Sequence, residues 1–132
     1  MSLLLLDTTF LIDAERGGGE LDDAIDDADD VAIAAVTVAE LLVGVRLASG
    51  KRRDARKVYV EDILESLPII AYDRNVAIEH AELLVAVRKQ GRPRGAHDLL
   101  IAATARATDR IIVTADYEAF TDLPGVATAM HH

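Results

Sequence analysis

The segment Leu3-Leu4-Leu5-Leu6-Asp7-Thr8-Thr9 opens as four consecutive leucines and closes on an acid and two hydroxyls. A short, wholly apolar run ended by a polar turn is a strand buried on both faces, as in a parallel sheet with helices above and below it. The same grammar recurs down the chain. Val31-Ala32-Ile33-Ala34-Ala35-Val36 runs into Thr37, with Glu40 one helical turn later, and Ile111-Ile112-Val113 runs into Thr114-Ala115-Asp116. Ile69-Ile70-Ala71-Tyr72 and Val126-Ala127-Thr128-Ala129 supply two more short strands, the last at an edge.

Between these runs the apolar period becomes helical. Helices are expected over 9–16 (Phe10, Leu11 and Ala14 inward, ended by Gly17-Gly18-Gly19), over 20–30, and over 37–48 with Val38, Leu41, Leu42 and Val45 on one face. Further helices span 54–66 with Val58, Ile63 and Leu64 inward, and 73–90 with Val76, Ala77, Ala81, Leu84 and Val87 inward, capped by Asp73 or Asn75. Gly95-Ala96-His97-Asp98 opens another, alanine-rich helix reaching Thr108. Strands alternating with helices specify an α/β three-layer sandwich, with a mainly parallel central sheet of about five strands flanked by helices.

The 132 residues make one domain, and a 51% hydrophobic fraction is ample for a core. No apolar stretch approaches the ~20 residues needed to span a bilayer. Met1-Ser2 carries no basic region of a secretory signal, and with no cysteine there is no disulfide framework or thiolate site. The cytoplasm is therefore the expected location. The net charge of −9 argues against a polyanionic partner, but the charge is segregated: ten of the 23 acids lie within residues 1–30. Nine of the 14 bases lie in Lys51-Arg52-Arg53 with Arg56-Lys57, and in Arg88-Lys89 with Arg92 and Arg94. Local field steers a partner more than net charge does.

Four acids occupy equivalent places: Asp7 and Asp116 after strands, Glu40 and Asp98 in early helical turns. Each has a plainer explanation. Asp7 and Asp116 suit turns, Thr37-Val38-Ala39-Glu40 fits a capping box, and Asp98 suits the positive end of a helix dipole. In an open parallel sheet, however, the ligand crevice lies beyond the carboxyl ends of the strands, where all four would converge. Carboxylates crowded there repel unless cations neutralise them, and Mg²⁺ or Mn²⁺ is the hard-oxygen partner that phosphate chemistry needs. Thr8, Thr9 and Thr114 add hydroxyls beside them.

At Leu6-Asp7-Thr8-Thr9-Phe10-Leu11-Ile12-Asp13 the chain resembles the PIN-domain ribonucleases, specifically the VapC-type toxins. The resemblance runs on through Thr37-Val38-Ala39-Glu40-Leu41-Leu42-Val43-Gly44-Val45 and Asp98-Leu99-Leu100-Ile101-Ala102-Ala103-Thr104-Ala105. It ends at Ile112-Val113-Thr114-Ala115-Asp116-Tyr117-Glu118-Ala119-Phe120, so it covers essentially the whole length as a single PIN-like domain. It implies the toxin of a type II toxin–antitoxin system, an endoribonuclease dependent on Mg²⁺ or Mn²⁺ that leaves 5′-phosphate and 3′-hydroxyl ends. Asp7, Glu40, Asp98 and Asp116 are then the metal-binding and catalytic acids, with Thr114, and more weakly Thr8, steadying the attacking water. The implied partners are RNA, a small cognate antitoxin and a second copy of the chain, with no membrane. The apolar faces of Phe10–Ala14 and of the helix over 38–48 are the expected antitoxin groove.

Two readings stay open beside this one. A catalytically silent PIN-fold scaffold would keep the acids for stability, and the basic stretches are either RNA rails or merely solvated. A haloacid-dehalogenase-type phosphatase would want an acid where Thr9 stands, and a nucleotide fold a Gly-rich strand-to-helix turn. His97 is either a proton donor or a loop histidine satisfied locally. Five aromatics offer little stacking surface, so RNA choice is expected to rest on shape.

Overall fold

A computed structural model describes residues 1–17 and 25–130. In order these form β1 (Leu3–Leu6), α1 (Thr8–Gly17), β2 (Asp30–Ala34), α2 (Ala35–Leu47) and α3 (Gly50–Ser66). There follow β3 (Ile69–Ile70), α4 (Arg74–Gln90), α5 (Ala96–Thr108), β4 (Ile111–Thr114), a 3₁₀ turn (Tyr117–Ala119) and β5 (Thr128–Met130). The five strands pair in the order β3-β2-β1-β4-β5, every pair parallel. Chain direction across the sheet therefore reverses between β1 and β4, which opens a crevice at their carboxyl ends.

The four leucines divide as the pleat requires. Leu4 and Leu6 face one layer with Ile33, Val113, Phe10, Leu11, Leu41, Val45, Val60 and Ile63. Leu5 faces the other with Ala32, Ala34, Ile112, Leu83, Leu99 and Ile101. Burial on both sides is what the unbroken apolar run encodes. Arg110 ties the amino ends of the strands together, donating to the carbonyls of Leu4 (3.1 Å) and Asp30 (2.8 Å) and pairing with the Asp30 carboxylate (2.8 Å).

Several sequence expectations need correction. Of the helix expected over 20–30, residues 20–24 lie outside the described residues, as do Gly18 and Gly19. Residues 25–29 form a turn in which Asp29 N–H donates to Asp26 O at 2.9 Å, and Asp30 already belongs to β2. The second strand ends at Ala34 because the helix after it starts two residues before Thr37. Leu42 and Val58 face solvent, Val58 at 61% exposure, while Val60 takes the inward place in α3. In α4, Ala81 is exposed and Leu83 is the fully buried residue. All three slips come from assigning a helix face by apolar residues alone where an apolar residue also decorates the outer face. Of the two caps the sequence allows for α4, Asp73 is the one used, accepting Val76 N–H at 2.9 Å; Gly91 ends the helix at φ 66°, a left-handed conformation glycine takes without strain.

Candidate active site

Asp7 closes β1 and caps α1 in one residue. Its N–H extends the ladder to Val113 O (3.1 Å), its carbonyl accepts Leu11 N–H (3.2 Å), and its Oδ1 accepts Phe10 N–H (2.8 Å). This is the N-cap arrangement, in which a short acid satisfies a donor at a helix mouth. Thr9 Oγ1 lies 2.9 and 3.0 Å from the two carboxylate oxygens, and Thr114 donates to Oδ2 at 2.5 Å. Asp7 is only 2% exposed, and this burial pushes its pKa above the usual carboxylate value. The hydrogen bonds from Thr114, Phe10 and Thr9 pull the other way, and the charge of Asp116 adds to the rise.

Thr114, at the end of β4, is fully buried. While donating to Asp7 it accepts Asp116 N–H at 2.8 Å, so one hydroxyl fixes an acid from β1 against the turn carrying an acid from β4.

Glu40 does not close a capping box. The residue at the mouth of α2 is Ala34, with no side-chain cap, and Thr37 sits inside the helix, fully buried. The Glu40 carboxylate instead accepts Thr8 Oγ1 at 2.7 Å through Oε1, and Oε2 lies 3.2 Å from His97 Nδ1. Thr8 also reaches Thr37 Oγ1 at 3.3 Å. Thr8 thus serves Glu40, and Thr9 is the hydroxyl beside Asp7 and Thr114, to which it lies 3.3 Å.

Asp98 stands in the first turn of α5, whose N-cap is Gly95. Burial raises its pKa most, then the charges of Asp116, Glu40 and Asp7, with His97 opposing. The four acids therefore share one electrostatic neighbourhood beyond the carboxyl ends of β1 and β4. Among the described residues no lysine or arginine forms an ion pair with any of them. Nor, among those residues, are three acids or imidazoles gathered closely enough for a complete metal cage. Hard oxygen donors at wider spacing fit an ion of the magnesium type, which keeps several waters and needs only one or two direct carboxylates.

The two basic stretches separate. Arg92 and Arg94 border a cleft of about 330 Å³ that also contains Asp98 and Asp116. Arg92 pairs with Asp122 at 2.9 Å, and Arg94 donates to the carbonyls of Ala119 and Thr121. Arg53 and Lys57 border a different cleft with Leu42, Arg46 and Glu61, and Arg56 pairs with Glu15 at 3.2 Å.

Sequence reasoning undervalued Thr9, Thr37 and His97. Nothing in spacing separates Thr8 from Thr9, because both follow the same strand. The signal available for His97 was its position immediately before Asp98.

A parallel sheet that reverses order at β1 and β4, with carboxylates gathered at that reversal, is the class of α/β protein that acts at the carboxyl ends of its strands, the arrangement the resemblance to PIN domains implies. The chain belongs to the PIN-domain family, whose model matches residues 4–126. Among its relatives, ribonuclease VapC5 of Mycobacterium tuberculosis is 32% identical over 124 residues, spanning 94% of this chain and 90% of the relative. The tRNA(fMet)-specific endonuclease VapC of Salmonella typhimurium is 27% identical over 94 residues, 71% of this chain and 70% of the relative. Of solved structures, VapBC-5 from M. tuberculosis, a member of the VapBC family of toxin–antitoxin systems, superposes with a TM-score of 0.79 at 30% identity, covering 98% of both chains. VapBC2 of Rickettsia felis, bound to a promoter DNA fragment, has a TM-score of 0.89 at 22% identity over 98% of this chain and 99% of that one, a likeness of fold.

Proposed function

We propose that this chain is the toxin of a toxin–antitoxin pair, an endoribonuclease that hydrolyses RNA phosphodiester bonds with a divalent cation, Mg²⁺ or Mn²⁺, at Asp7, Glu40, Asp98 and Asp116. One observation carries the reading: the Asp98 carboxyl feels three other carboxylates, and among the described residues none of the four pairs with a lysine or arginine, Glu40 meeting only the His97 imidazole. Such a cluster is costly unless a cation joins it.

A bound divalent ion makes water nucleophilic near neutral pH and neutralises charge on the phosphoryl oxygens and leaving group. Asp7, Asp98 and Asp116 would hold it, directly or through its waters. Glu40, oriented by Thr8 and His97, takes the proton from the attacking water. Oxygen from that water would join phosphorus as the P–O3′ bond breaks, the departing O3′ taking a proton from solvent water, so that the products carry 5′-phosphate and 3′-hydroxyl ends. Thr114 and Thr9 aim the Asp7 carboxylate, and Arg92 and Arg94 supply positive charge beside the cleft.

The proposed protein partners are a small antitoxin and a second copy of the chain. Phe10, Leu11 and Ala14 are spent in the core and offer no groove, which corrects half of the surface expected from the sequence. Leu42, Val43 and Leu47 leave apolar area exposed on α2. Among the described residues no helix is long and apolar enough to cross a membrane.

Calorimetric Mg²⁺ titration and cleavage of total RNA, run on wild type and Asp7→Asn, test the reading. Wild type should bind and cut, and the variant should keep its circular dichroism while losing both. Wild type without metal-dependent cleavage would leave only a silent scaffold.

A further inference from the structure

The groove between α2 and α5 does not stop at the acids. On α2, Val36 lies one turn from Glu40 on the same face; on α5, His97, Leu100 and Thr104 share a stripe at helical spacing. These two helices pack against each other, and the His97–Glu40 contact of 3.2 Å marks the head of the groove. Directly along it lies a cavity of about 240 Å³ walled by Val36, Ile70, Leu100 and Thr104. Ala35 also lines it, and Tyr72 and His80 complete the rim, joined by a 3.0 Å hydrogen bond between Tyr72 Oη and His80 Nδ1, with the rings edge to face at 5.7 Å.

Tyr72 is unusual among the five aromatics. Phe10 and Phe120 are buried, and Tyr59 donates its hydroxyl to Leu11 O at 2.6 Å. Only Tyr72 (51% exposed) and Tyr117 (45%) show large aromatic surface, and both follow carboxyl ends of strands, β3 and β4, on opposite flanks of Asp7. An apolar cavity with an aromatic edge and an imidazole suits an unpaired nucleobase, because every base has a stackable face and a polar rim. The volume lies below the ~300 Å³ at which pockets for whole drug-sized ligands begin, so one ring system fits and a complete nucleotide does not.

Resting on the ribonuclease reading, we infer that this cavity receives one unpaired base of single-stranded RNA, flanking the phosphate that is cut, with Tyr72 and His80 as its base-recognition residues. Recognition at this point is then by stacking, in contrast to the shape-only selection that the low aromatic content suggests.

The test uses the full chain and a short single-stranded oligoribonucleotide containing a cut site mapped on total RNA, with an abasic nucleotide walked through each position around the cut. Binding is measured in Ca²⁺ and cleavage in Mg²⁺, for wild type, Tyr72→Leu and His80→Ala, with sedimentation of each. At one flanking position the abasic nucleotide should weaken wild-type binding about 5- to 150-fold, the range for loss of one stacked base. Tyr72→Leu should show a similar loss on intact RNA and little further loss on that abasic substrate, with His80→Ala between. Equal losses on every substrate, no loss at all, or dissociation of an oligomer by Tyr72→Leu would each overturn the base pocket, the last by giving the cavity to a second copy of the chain. Wild type that cuts while Tyr72→Leu cuts and binds equally well sinks the pocket alone; wild type that neither binds nor cuts sinks the ribonuclease reading with it.

Discussion

Thr114 donates its hydroxyl to Asp7 Oδ2 at 2.5 Å, joining residues 107 positions apart across the β1–β4 reversal. Of the hydrogen bonds that hold the Asp7 pKa down against burial, this one has the largest effect. Thr114→Val keeps the shape and removes the donor. The Asp7 pKa then rises further, and fewer molecules carry the ionised carboxylate needed to hold a cation at mildly acidic pH. The acid limb of the pH–rate profile should shift to higher pH, with metal affinity or activity down roughly 10- to 100-fold, as for other groups that orient a metal ligand. An unchanged profile would show that the Thr114 hydroxyl serves only to place Asp116.

Charge repulsion within the cluster should be measurable as instability without metal. Asp98 has a raised folded pKa, so burial and the three other carboxylates outweigh the helix dipole that favours an acid there. As pH climbs past the unfolded value of 3.8, the unfolded chain ionises first, and stability falls until the folded carboxyl has ionised too. At neutral pH the whole cost is present. In EDTA, Asp98→Asn should therefore melt above wild type at neutral pH, the gap closing as pH drops below that window. Added Mg²⁺ should raise wild type more than the variant, since a ligand stabilises the state that binds it. A variant that melts below wild type in EDTA would contradict the crowding.

The sheet was legible because burial on both faces leaves an unmistakable trace: Leu3–Leu6 and Ile111–Val113 contain no polar alternation. Asp7 was legible because strand end and helix cap coincide there. Glu40 was harder, since Thr37 three residues earlier mimics a cap that the helix, starting at Ala35, does not use. What sequence could not reveal is which hydroxyl serves which acid. Thr8 and Thr9 point to different carboxylates because α1 turns about 100° per residue, so neighbours separate as soon as the helix begins. The outward apolar residues Leu42 and Val58 misled for a related reason: exposed apolar side chains are common, and periodicity does not report which stripe meets the sheet.

Gly95 gives a prediction free of metal ligands. A Cβ there would stand 2.9 Å from Asp98 Oδ2, inside any real contact, while its φ of −59° is open to alanine. The atom in the way is the end of a side chain, so the fold survives and the carboxylate moves. Gly95→Ala should leave melting within about 0.5 kcal/mol of wild type, like other surface substitutions, yet weaken Mg²⁺ binding. Asp73→Ala is the converse control: removing the cap of α4 should cost about 1 kcal/mol and spare cleavage. If Gly95→Ala binds Mg²⁺ normally, the position of Asp98 is not critical.

The two basic stretches should behave differently toward RNA. Arg92 borders the cleft that holds Asp98 and Asp116, whereas Arg53 borders a separate cleft against α2. Phosphate neutralisation releases counterions, so each true contact contributes a little under one unit to the slope of log affinity against log salt, about 0.7 for single strands. Arg92→Ala should lower that slope by roughly this amount and weaken binding alike for all sequences. Arg92 is already paired with Asp122, so Asp122→Asn should free it and strengthen RNA binding at low salt. Arg53→Ala should change neither slope nor affinity. The opposite result, with Arg53 sensitive and Arg92 silent, would place the RNA path along α3 and away from the carboxylates.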